Sequence, residues 1–86
     1  MPKIEIYTKP TCPFCRRAIE LLESKHASFE LINIAAFPNR RDEMIERANG
    51  RTTVPEIFIE GQLIGGCDDL FELDAQGELD KRLNQN

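Results

Sequence analysis

Lys3-Ile4-Glu5-Ile6-Tyr7-Thr8-Lys9-Pro10-Thr11-Cys12-Pro13-Phe14-Cys15-Arg16-Arg17-Ala18-Ile19 contains a change of hydrophobic period, and that change sets the fold. Residues 3–8 alternate along the chain, which reads as a strand with Ile4 and Ile6 on one face. Lys9-Pro10-Thr11 breaks the strand. From Pro13 to Lys25 the spacing is helical: Cys15, Ala18, Ile19 and Leu22 fall at i, i+3, i+4 and i+7, while Arg16, Arg17, Glu20 and Glu23 take the other faces. Pro13 suits the first turn, where its missing N–H costs nothing. Two cysteines thus stand where a strand gives way to a helix.

Downstream, Phe29-Glu30-Leu31-Ile32-Asn33-Ile34 reads as a second strand. A loop through Pro38 leads to a short helix with Met44, Ile45 and Ala48 inward and Gly50 as its stop. Ile57-Phe58-Ile59 and Leu63-Ile64, joined through Glu60-Gly61, form a hairpin signature. Asp68 to Ala75 offers Leu70, Phe71 and Leu73 for a further helix, and Glu78 to Asn84 a final turn or short helix. The order β-α-β-α-β-β-α implies an α/β fold. Its opening βαβ unit is parallel and right-handed, and the hairpin adds antiparallel pairs, giving a mixed four-stranded sheet flanked by helices.

The chain of 86 residues has room for one core and therefore one domain, spanning 1–86. Its apolar runs are too short to cross a bilayer. A secretory signal needs an apolar stretch of about 7–15 residues after a basic start, and Met1 to Thr8 does not supply one, so a cytoplasmic location is expected. A net charge of −4 disfavours nucleic acid as the main partner. Three cysteines, two of them close together, are too few for a disulfide framework and point to redox work or metal binding.

Cys-x-x-Cys after a strand and opening a helix is a signal for redox chemistry. A thiolate at a helix N-terminus sits among unpaired N–H groups at the positive end of the dipole, which brings a cysteine pKa down to about 3.5–7.5. Cys12 is placed for that effect, whereas Cys15 shares the inward stripe with Ala18 and Leu22. Cys12 is therefore the expected attacking thiol and Cys15 the resolving one. A zinc half-site is the alternative, but the further ligands would have to be Cys67 and His26, and His26 lies at the far end of the helix. No metal is expected.

Three segments then acquire a common meaning. Tyr7-Thr8-Lys9-Pro10-Thr11-Cys12-Pro13-Phe14-Cys15, Thr52-Thr53-Val54-Pro55 and Gly65-Gly66-Cys67-Asp68-Asp69 resemble, in order and separation, the three signature segments of glutaredoxins, most of all the small bacterial dithiol type. The resemblance covers nearly the whole chain. It implies a thioredoxin-like fold and a glutathione-dependent thiol–disulfide oxidoreductase. No cofactor would be permanently bound, and glutathione would be the electron-donating co-substrate. Partners would be glutathione and disulfide-containing or glutathionylated proteins, ribonucleotide reductase among the family's possibilities, with a monomer as the expected state. Phe14 departs from the family's usual tyrosine, losing a hydroxyl and keeping the ring.

Glutathione carries two carboxylates and one ammonium, so a site selecting it needs cations or N–H donors and one acid. The resemblance places Lys9 and, from the second helix, Arg40 or Arg41, with Arg41 preferred, at the glycine carboxylate. It makes Val54-Pro55 a cis bond that presents the Val54 backbone to the cysteinyl unit, with Thr53 along the same edge, and it counts Phe14 among the glutathione-binding residues. The amides of Cys67 and Asp68 would take the γ-glutamyl carboxylate, and the Asp68 side chain its ammonium; Asp69 reads as a helix cap. Two rivals are a redoxin drawing electrons from thioredoxin reductase, and a non-enzymatic carrier of an iron–sulfur cluster held by Cys12 and glutathione across a dimer. Lys9 and the Asp68 region argue against the first, and Pro13 and Cys15 against the second.

Overall fold

β1 (Ile4–Thr8) is buried along its whole length, which marks it as an interior strand covered on both faces. A computed structural model describes residues 2–84, so Met1 and the last two residues lie outside the description. β1 pairs in parallel with β2 (Glu30–Asn33) and antiparallel with β3 (Glu56–Ile59), and β3 pairs antiparallel with β4 (Gln62–Gly65). The sheet order is β2-β1-β3-β4, the mixed sheet expected from the strand and hairpin signals. Glu60 and Gly61, with φ of 52° and 77°, make the tight turn between β3 and β4.

One face of the sheet carries Ile4, Ile6, Ile57 and Ile59, packed against Ala18 and Leu22 of α1 (Pro13–Ser24), Leu70 of α3 (Cys67–Ala75) and Leu79 and Leu83 of α4 (Glu78–Leu83). The other carries Tyr7, Ile32 and Phe58 against Met44 of α2 (Pro38–Arg47) and Ala48, which caps its C-terminal end. Two apolar clusters therefore clamp the sheet.

The helix ends follow local chemistry. Cys12 caps α1 and Pro13 opens it, as the spacing predicts, while at its far end His26 takes a left-handed φ of 59°. α2 starts at Pro38 itself, earlier than a loop through that residue would allow, because proline at the first helical position has its φ already set. Beyond Ala48, Asn49 and Gly50 both take positive φ, and the Gly50 N–H closes on the Ile45 carbonyl at 2.8 Å. β1, the α1 start, the approach to β3 and the α3 start converge at one end of the molecule, where the two cysteines lie.

Candidate active site

The break at Lys9-Pro10-Thr11 puts the start of α1 just beyond the end of β1. Cys12 is the N-cap of α1, and its Sγ accepts the Cys15 N–H at 3.2 Å. The sulfur therefore sits among the helix's unpartnered N–H groups. It is partly exposed, and its thiol donates to the Val54 carbonyl at 3.7 Å. Cys15, one turn on, is 1% exposed. Burial, followed by hydrogen bonding to Cys12, pushes the Cys15 thiol up from its ordinary value. The pair is asymmetric: one sulfur faces solvent and the other waits beneath it as a thiol.

Six of the residues singled out in the sequence line a single cleft of about 260 Å³: Phe14, Thr53, Val54, Pro55, Cys67 and Asp68. Phe14 extends from the first turn of α1 and is 53% exposed. Thr53, Val54 and Pro55 precede β3, with the Val54–Pro55 bond cis. Cys67 opens α3, where burial pushes its thiol up, and Asp68 beside it is exposed. Asp69 accepts the Gly66 N–H through Oδ2 at 2.9 Å, the cap its position suggested. A side chain at Gly65 would collide with that carboxylate, since its Cβ would lie 2.2 Å from Oδ2.

The expected cations are not brought into this cleft. Lys9 borders a second groove of about 450 Å³, together with Cys12, Cys15, Arg16, Ile19 and Leu31. Cys12 thus stands between the two, bordering one and touching Val54 of the other. Arg41 is exposed on α2 and lines neither, and Arg40 is bound to Glu43 at 3.2 Å.

Two residues escaped the sequence reading. Arg51 lines the cleft, with Nε 3.5 Å from Glu56 Oε2 and Nη2 3.5 Å from Asp69 Oδ2. Glu56 is 0% exposed. Its Oε2 accepts the Thr53 hydroxyl at 3.0 Å, its Oε1 has no partner among the described residues, and burial pushes the carboxyl above the usual range. The available signal was an acid interrupting the apolar run of a buried strand, directly after a proline.

An accessible sulfur at a helix N-terminus, a buried thiol behind it and a cleft alongside suit thiol–disulfide exchange. The glutaredoxin family profile matches residues 4–64. Glutaredoxin 3 of Escherichia coli strain K12 is 58% identical over 83 residues, spanning 96% of this chain and 99% of that protein. The solution structure of a glutaredoxin from Brucella melitensis superposes with a TM-score of 0.83 at 49% identity, covering 96% of this chain and 89% of that one. The crystal structure of a buckwheat glutaredoxin–glutathione complex superposes with a TM-score of 0.87 at 27% identity, covering 95% and 76%. With a thioredoxin-like mixed sheet, a Cys12–Cys15 pair at a helix N-terminus and these likenesses, the chain belongs to the glutaredoxin family.

Proposed function

We propose that this chain, acting as one domain and a monomer in the cytoplasm, reduces glutathione mixed disulfides and protein disulfides at Cys12, with glutathione as the source of electrons. The observation that supports this division of labour is the asymmetry of the pair: Cys12 Sγ is partly exposed at the N-cap of α1, and Cys15 is buried with its thiol held in the protonated form. The buckwheat relative is a complex with glutathione, which supports glutathione as the ligand, and the cleft lined by Phe14, Val54 and Asp68 beside Cys12 is the proposed seat of the glutathionyl unit.

With a glutathionylated protein, the Cys12 thiolate attacks the glutathione sulfur. A Cys12–glutathione disulfide forms, and the protein leaves as a thiolate that takes a proton from water. A second glutathione thiolate then attacks that disulfide, releasing oxidised glutathione and regenerating Cys12. With a protein disulfide, Cys12 forms a mixed disulfide with one protein sulfur. Cys15 then loses its proton and attacks Cys12, freeing the reduced protein and leaving a Cys12–Cys15 disulfide that two glutathiones reduce. The first cycle consumes one free glutathione thiol and the second consumes two, and each yields one oxidised glutathione. Protein disulfides of ribonucleotide reductase fall within this substrate class.

The test is a coupled assay with glutathione, glutathione reductase and NADPH on a glutathionylated peptide. Cys12→Ser loses turnover with every disulfide, and Cys15→Ser retains turnover of the glutathionylated peptide. Equal loss in both variants contradicts the assignment.

A further inference from the structure

The cleft beside Cys12 holds one cation, and it is not one that the family resemblance nominated. Among its lining residues Arg51 alone carries positive charge, against the carboxylates of Asp68 and Asp69. Arg51 is fixed in direction without being satisfied. Glu56 approaches it from β3 and Asp69 from α3, each at 3.5 Å, beyond the roughly 2.7–2.9 Å of a charge-assisted hydrogen bond. Those carboxylates have other obligations, since Glu56 Oε2 accepts the Thr53 hydroxyl at 3.0 Å and Asp69 Oδ2 accepts the Gly66 N–H at 2.9 Å. A guanidinium has five N–H donors in a planar fork, and this one, 45% exposed, has donors free for a further acceptor.

Arg51 also lies at the start of α3. A Cβ built on Gly66 would be 3.7 Å from Arg51 Nη2 and 3.5 Å from the Pro55 carbonyl, so the guanidinium, the cis-proline segment and the first N–H groups of α3 enclose one small space. Asp68 is exposed at its edge. A guanidinium and N–H donors on one side and a carboxylate on the other match an α-amino acid head, whose carboxylate and ammonium sit on one carbon. The γ-glutamyl end of glutathione is such a head. Its glycine end carries a carboxylate alone.

We propose that Arg51 is a specificity residue of this glutaredoxin, its guanidinium binding the α-carboxylate of the γ-glutamyl unit while Glu56 and Asp69 hold it in position. The assignment rests on the cleft being the glutathionyl seat, and the experiment separates failure of the two. One peptide thiol is prepared as its mixed disulfide with glutathione, γ-glutamylcysteine, cysteinylglycine or mercaptoethanol, and kcat/KM for peptide release is measured for the wild type, Arg51→Gln and Arg51→Lys, with glutathione as reductant throughout. Wild type favours the two γ-glutamyl disulfides. Arg51→Gln lowers kcat/KM for both by roughly ten- to a hundredfold more than it does for the mercaptoethanol disulfide, chiefly through KM, as expected for loss of one charge-assisted contact, and Arg51→Lys recovers part of the difference. A loss equal across all four disulfides, no loss, or a loss confined to disulfides bearing the glycine carboxylate overturns the role of Arg51. A wild type indifferent to the γ-glutamyl group overturns the glutathionyl seat itself.

Discussion

Glu56 directly follows Pro55, and its carboxyl is shut away from solvent with one oxygen unbonded among the described residues. Burial raises its pKa above the ordinary 4.5, with Thr53 and Arg51 opposing the shift and Asp69 adding to it. An acid raised on folding contributes its full stability below the unfolded value and loses that contribution as pH rises through the folded one. Glu56→Gln, which removes the charge and keeps an acceptor for Thr53, is therefore expected to stabilise the protein at neutral pH. The gain should vanish near pH 4.5. Urea midpoints from acid to neutral pH measure it, and a gain that grows toward acid would contradict the burial argument. The sequence made the cysteine pair legible because a period change and a proline fix the helix start. Arg51 stayed hidden because its partners, Glu56 and Asp69, come from a strand and a helix that only the fold brings together.

At the scale of elements, α2 is fastened to the sheet by a polar cluster as well as by Met44 and Ala48. Arg47 reaches across to β1, donating to Glu5 Oε2 at 3.1 Å and Oε1 at 2.9 Å and to the Tyr7 hydroxyl at 2.7 Å. Its guanidinium lies 4.1 Å from the Phe58 ring centroid, and Tyr7 also donates to Glu43 of the same helix. The Arg47 hydrogen bond, outweighing burial, holds the Glu5 carboxyl below its ordinary value. Glu5 therefore contributes stability above an unfolded pKa of 4.5 that is lost as pH falls through the folded value, the reverse of Glu56. Arg47→Met should cost about 1.5–3 kcal/mol at neutral pH, because a mostly buried carboxylate loses its partner. The cost should shrink in acid, and urea denaturation at the two pH values checks both parts; a pH-independent cost would mean that packing of the arginine stem matters more than its charge. Alternation in residues 3–8 reveals a strand but cannot show that α2 covers its second face, so Glu5 looks like a solvent residue in the sequence. Pro38 reads as loop for a related reason: proline is a breaker everywhere except at a helix start.

For the whole molecule, the fold's consequence is that segments near residues 12, 54 and 67 meet around one sulfur. The family profile ends at residue 64, yet Leu70, Leu79 and Leu83 from the last two helices complete the core beneath α1, and α3 supplies one wall of the cleft. A sheet covered on both sides holds the helix N-terminus and the Val54 carbonyl in fixed relation to Cys12, leaving that sulfur open while Cys15 and Cys67 are buried. The central claim is that Cys12 forms the glutathione disulfide and Cys15 only resolves disulfides afterwards. Incubating Cys15→Ser with oxidised glutathione and mapping the product by peptide mass spectrometry tests this most directly. One glutathionyl unit should be found, on the peptide containing Cys12, and Cys12→Ser should take up none under the same conditions. An adduct on Cys67, or equal uptake by the two variants, would contradict the account.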